Sequence, residues 1–204
     1  LGMAPMLRVS EMSRTQIQTA LDGGIQILIM PNVNTLDQAR KFVQYGKYPP
    51  EGQRGVSTTN AGSGFSLGDD TRQTLQEVNN ATHLMVMIES DEGYENLDDI
   101  LSVDGIDMVT VGPLDWATQL GSFGEKARKL LAPKIQKVIH SSSQTGKTVA
   151  MVVLSDADLI RQYHDMGARI FFVGEDIALK QQKLSDTLRA GQSALWRRPG
   201  NGER

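Results

Sequence analysis

The sequence predicts a parallel (β/α)8, or TIM, barrel that is N-terminally incomplete, with about six of the eight strand–helix units present. Three observations lead there. Short β-rich apolar runs alternate with longer stretches whose apolar residues recur every three or four positions, the pattern of strands and helices in alternation. The strand runs are mostly apolar throughout, as strands covered on both faces are. Several of them end in a polar or charged group, where barrel enzymes place their chemistry, and no glycine-rich dinucleotide fingerprint follows the first. A complete barrel takes roughly 250 residues, and this chain has 204.

The first strand is PMLRV over 5–9, and the helix after it, 13–22, carries Ile17, Ala20 and Leu21 on one face. IQILIM (25–30) is the second strand, followed by a helix over 35–45 with Leu36, Ala39 and Val43. The stretch 46–68, with Tyr48-Pro49-Pro50 and five later glycines in polar company, reads as a long loop, a length that is usually functional or disordered. LMVMIE (84–89) and MVTVG (108–112) are the third and fourth strands; a long helix over 124–144 leads to TVAMVV (148–153). A helix over 156–166, with Ser155 and Asp158 as a capping box, precedes RIFFVG (169–174), and a last helix covers 176–190. Gly24, Gly146 and Gly167 stand between a helix and the next strand, where a left-handed residue ends the helix. One domain over 1–190 is expected, with 191–204 as a flexible tail whose Trp196 can dock on a neighbouring subunit. A six-strand remnant exposes two parallel edges, so either further units or partner subunits are expected to cover the opening.

Composition narrows the function. Hydrophobic residues at 39% and charged residues at 22%, with no apolar run near twenty residues, describe a globular chain without a membrane span. The absence of cysteine removes disulfides, thiolate metal sites and cysteine nucleophiles, and it suits a reducing, cytoplasmic setting. Residues 1–5 show no secretion signal. A net charge of -3 without a basic run argues against a nucleic-acid partner.

The chemistry is expected at the strand C-terminal ends. Glu89 and Asp115 end two consecutive strands, and neighbouring strands lie about 4.8 Å apart, so both carboxylates can reach one hard cation such as magnesium or manganese. Helix-end carboxylates stabilised by the dipole are the alternative. Gly112-Pro113-Leu114-Asp115 leads from a strand into a short helix, where free N–H groups can receive a carboxylate, or where an ordinary turn simply sits. Arg8 lies inside an apolar strand, and a buried guanidinium there requires a partner, either a substrate keto acid or a structural ion pair. His83, His140 and His164 are placed as structural residues, and no lysine lies within a strand to form a Schiff base.

Taken together, PMLRV, ALDGG with ILIMPNV, KYPPEGQRGV, MIES with NLDDILSVDGID, VGPLDWATQLG and GARIFFVGED resemble the HpcH/HpaI aldolases, metal-dependent class II pyruvate aldolases. The likeness runs from about Pro5 to Leu188. It implies a barrel of the phosphoenolpyruvate/pyruvate type and a carbon–carbon lyase that makes or cleaves 4-hydroxy-2-oxo acids through a pyruvate enolate held on magnesium, manganese or cobalt. It implies further that Glu89 and Asp115 hold the metal, that Arg8 contacts the keto oxygen, and that the backbone of Gly112, Pro113, Leu114 and Asp115 receives the pyruvate carboxylate. Asp22 would reach the active site of an adjacent subunit in a homo-oligomer, a trimer or hexamer. The expected partners are pyruvate and an aldehyde.

Two departures from the family pattern stand out. Met87 occupies the place of a glutamine two residues before the metal glutamate, and the strand that carries the family's acid–base histidine would lie before residue 1. The alternatives are a lyase of the citrate-lyase β-subunit or malyl-coenzyme A type, and a non-catalytic truncated barrel serving as a metal-binding or oligomeric interaction protein.

Overall fold

The computed structural model describes residues 2–57, 59–66, 68–154 and 156–195. Six parallel strands form one sheet in chain order: β1 (Met6–Arg8), β2 (Ile27–Met30), β3 (His83–Ile88), β4 (Met108–Val111), β5 (Thr148–Val152) and β6 (Ile170–Phe172). Five of the six are the predicted runs trimmed by one to three residues, and β3 is the predicted run shifted back by one, so that it takes in His83, the residue just before that run. The sheet curls into part of a barrel. Among the described residues β1 and β6 are its two ends, so a closed barrel is not what this chain builds.

The expected helices are α1 (Arg14–Asp22), α2 (Leu36–Gly46), α7 (Gly124–Gln144), α8 (Ala157–Met166) and α9 (Asp176–Leu195). Between them lie α3 (Thr71–Ala81), α4 (Asp91–Glu95), α5 (Leu97–Leu101) and α6 (Pro113–Gln119). The proposed Ser155 cap lies outside the described residues, and Asp156 caps α8 by accepting from the N–H groups of Asp158 and Leu159. Trp196 and the rest of the tail also lie outside them, while α9 runs to Leu195, five residues past its expected end. No described helix is long and apolar enough to cross a membrane.

Alternation along each strand sorts the side chains onto two faces. Leu28, Met30, Leu84, Val86, Ile88, Val109, Val111 and Val149 join α1, α2, α5 and α7 in the main core on the convex side. Ile29, Met85, Met87 and Ala150 line the concave side, with Met6, Met108, Ile170 and Phe172 packed against them.

In the stretch after α2, Lys47, Tyr48 and Arg54 are tied down by polar groups. Lys47 is buried and donates to the carbonyls of Asn79 and Thr82. Asn79 in turn accepts from the Tyr48 N–H and donates to the Tyr48 carbonyl. Arg54 lies over the Tyr48 ring, 4.5 Å from its centroid, and donates to Asp22. The buried residues of this mostly exposed loop find polar partners in this way without a ladder.

Candidate active site at the carboxyl ends of the strands

Strand register brings the site together. Ile88 pairs with Val111, so the next residues, Glu89 and Gly112, stand opposite each other on the concave side. A Cβ built on Gly112 would lie 2.9 Å from the Glu89 Cβ and 3.1 Å from its Cδ, overlapping the carboxylate. Gly112 has φ -100, an ordinary value, so glycine serves here to let Glu89 fold across β4 and not to bend the backbone. Asp115 stands in the first turn of α6, close enough for its carboxylate to act on the Glu89 carboxyl.

Glu89 is 1% exposed. Its Oε1 accepts the Asn32 N–H at 2.8 Å, while Oε2 is buried without a partner among the described residues. Burial pushes the Glu89 carboxyl above its ordinary pKa; the Asn32 hydrogen bond pulls it down, Asp115 raises it, and the Arg8 guanidinium lowers it. Arg8 therefore lies within electrostatic reach of Glu89.

Arg8 itself is exposed, contrary to the buried guanidinium that its apolar strand suggested. Its strand is at the end of the sheet and pairs on one side only, so no described strand flanks Arg8 on its outer side. Asp22 stands apart from the cluster. It closes α1, next to the start of β2 and at the opposite end of the sheet, where Arg54 Nη2 donates to Oδ1 at 2.8 Å and Asn60 Nδ2 at 3.3 Å. The structure thus unites Arg8, Glu89, Gly112 and Asp115, leaves Leu114 exposed at the rim, and does not add Asp22 within one chain. Among the described residues no group of three or more histidines and carboxylates gathers as a metal cluster. His83 opens β3 at the far end, and His140 and His164 lie in α7 and α8.

Several supporting residues had no signal in spacing. Asn32 takes φ +52, a conformation that asparagine tolerates, and this aims its N–H at Glu89. Ser90 caps α4 through Gly93 and donates to Asn34 Oδ1, while Asn96 donates to the Asn34 carbonyl. The loops after β2 and β3 are thereby locked together on either side of Glu89. Behind α6, the buried Trp116 donates to Asp91 Oδ1 at 2.7 Å, and Lys134 pairs with the same oxygen. Lys134 and Trp116 hold the Asp91 carboxyl below its ordinary pKa. Two surface recesses flank Arg40 and Glu51 beside α2, outside the sheet and away from this cluster.

Asp91→Ala should cost about 1 kcal/mol, the worth of a charge-assisted hydrogen bond discounted for solvent screening, read as a lower urea midpoint. Because the folded-state pKa is lowered, that contribution is present above the ordinary carboxylate range and fades as the pH falls through it. The gap between wild type and variant should therefore close in acid.

Residues 1–181 match the family model described as HpcH/HpaI aldolase/citrate lyase. A hydroxypyruvate/pyruvate aldolase of Roseovarius nubinhibens is 33% identical over 95% of this chain and 72% of its own length. A 2-keto-3-deoxy-L-rhamnonate aldolase of Escherichia coli is 33% identical over 98% of this chain and 72% of its own length. The crystal structure of an HpcH/HpaI aldolase from Desulfitobacterium hafniense superimposes with a TM-score of 0.87 at 26% identity, covering 99% of this chain and 76% of that one.

Proposed function

The chain belongs to the HpcH/HpaI aldolase/citrate lyase family, and from that premise we propose that it is a carbon–carbon lyase for 4-hydroxy-2-oxo acids, with pyruvate and an aldehyde as the cleaved pair. The carrying observation is the orphaned Glu89 Oε2, buried beside a second carboxylate and within the field of Arg8. A buried carboxylate oxygen without a donor is costly unless a cation completes it. Glu89 and Asp115 present hard oxygen donors and leave room for water and substrate oxygens, which suits magnesium or manganese. Such a cation, bound there, supplies Lewis acidity to the 2-keto oxygen and lowers the cost of forming the enolate.

The chain's own residues do the rest. Arg8, on the β1 side, pairs with the keto-acid oxygens and stabilises the oxygen on which negative charge develops. The N–H groups of Leu114 and Asp115 at the start of α6 face the substrate carboxylate, the Gly112 N–H being given to the Ile88 carbonyl and Pro113 having none. In cleavage the C3–C4 bond breaks, the 4-hydroxyl gives up its proton as C4 becomes the aldehyde, and a proton is added at C3 to give the pyruvate methyl. Asp22, with its side chain 25% exposed, is the residue offered to a neighbouring copy in a homo-oligomer.

The donor half of this reaction is testable alone. With magnesium or manganese present, the protein should exchange the methyl protons of pyruvate for deuterium in heavy water, and Arg8→Met should slow the exchange about 10²–10³-fold, the usual cost of removing one oxyanion donor. No exchange with any divalent cation would refute the lyase reading in favour of a non-catalytic barrel.

A further inference from the structure

The row of concave-side residues that holds Glu89 and Gly112 continues across the sheet. Thr110 pairs with Ala150, which sets Val152 beside Gly112, and Val152 pairs with Phe172. Strand spacing places Val152 about 5 Å from Gly112 and Phe172 about 5 Å further. Beyond Gly112 the described side chains of this row, Val152 and Phe172, are hydrocarbon, whereas Arg8, which pairs with Ile29 and so lies off the row, stands toward β1.

Val152 is 38% exposed and Leu154, just beyond it at the mouth, is 60% exposed. Leu154 adopts φ +44, a strained value for a bulky side chain, and its N–H donates to the Phe172 carbonyl, so the turn after β5 is closed onto β6. Val173 adds further exposed apolar surface at the end of β6. Among the described residues, the polar groups nearby are committed or negative: Asp156 caps α8, Asp176 pairs with Lys180, and Glu175 is exposed at the rim.

Because Arg8 takes the keto acid on the β1 side, the aldehyde must approach the enolate from the β5–β6 side. Resting on the lyase reading above, the geometry points to an acceptor aldehyde that is uncharged and apolar, an aliphatic or aromatic aldehyde, selected by Val152, Leu154 and Phe172. A polyhydroxylated acceptor would leave its hydroxyls without partners against this wall, and a carboxylated one would meet Glu175 as well as Glu89 and Asp115. In the aldol direction pyruvate C3 gives up a proton and bonds to the aldehyde carbon, and the aldehyde oxygen gains a proton; only the substituent on that carbon touches the wall.

The test compares kcat/KM for propanal and benzaldehyde with that for glyceraldehyde and succinic semialdehyde, each with pyruvate and magnesium or manganese. The apolar pair should lead by roughly 10-fold or more, the scale of discrimination by one or two apolar contacts. Val152→Thr, which keeps the shape, and Leu154→Asn, which suits the left-handed backbone, should narrow or reverse that ratio. Deuterium exchange into pyruvate by the unaltered protein, in the absence of any aldehyde, separates the two readings. Exchange together with a preference for hydroxylated or anionic aldehydes, or with ratios unmoved by both substitutions, overturns the acceptor assignment and leaves the lyase standing. Failure of exchange overturns both.

Discussion

Glu89→Gln should raise the thermal stability of the metal-free protein and at the same time abolish its response to magnesium or manganese. The amide keeps the oxygen that accepts the Asn32 N–H and replaces Oε2, the orphaned buried atom, with a donor next to Asp115. Removing an unsatisfied buried anion is worth about 1–3 kcal/mol, or a few degrees in Tm for a chain of this size. Since burial raises the Glu89 pKa, the folded state holds its proton at a pH where the unfolded chain has released it. The stability of the metal-free wild type should therefore rise as the pH falls through the raised pKa toward the ordinary carboxylate value, and fall as the pH increases again; the variant should lack that slope. Pyruvate proton exchange should drop by about 10³-fold or more, because one of two charged ligands is gone. Differential scanning calorimetry with chelator and with added cation reads both effects. A variant less stable than wild type without metal, yet still stabilised by it, would remove Glu89 from the site.

The strands were legible because a strand covered on both faces is an unbroken apolar run, and in this chain they are also hydrogen-bonded in their order of appearance. Glu89 and Asp115 were legible for a related reason: consecutive parallel strands carry their terminal residues to the same edge of the sheet. What escaped depends on partners far along the chain. The helix α3 buries Asn79 and no hydrophobic residue, so it offers little apolar period, and its reason to exist is the polar loop around Lys47 and Tyr48. Asn32 contributes a backbone N–H through a positive φ, which no side-chain pattern announces. Arg8 reads as buried from its apolar strand but is exposed, because the burial of an end strand is decided by neighbours rather than by its own residues. Gly112 reads as part of an anion-receiving turn, and the structure gives it a steric task in addition.

That steric task is open to a direct trial, with an outcome opposite in sign to the one at Glu89. Gly112→Ala places a methyl group where the Glu89 side chain now lies, 2.9 Å from its Cβ. The Cβ is anchored to β3, so a rotation of the far end of the side chain cannot relieve the clash. Either the strands part or Glu89 leaves its rotamer, and the cost of such overpacking is about 1–3 kcal/mol. Gly112→Ala should thus lower the Tm of the metal-free protein where Glu89→Gln raises it. Both should lose the cation response, since a carboxylate displaced by about an ångström no longer shares a cation with Asp115, and a displacement on that scale costs about 10²-fold in rate. The ordinary φ of Gly112 excludes backbone strain as the cause of the loss. If Gly112→Ala kept wild-type stability and cation affinity, the Glu89 carboxylate could not lie across β4, and the convergence with Asp115 on which the lyase chemistry rests would fail with it.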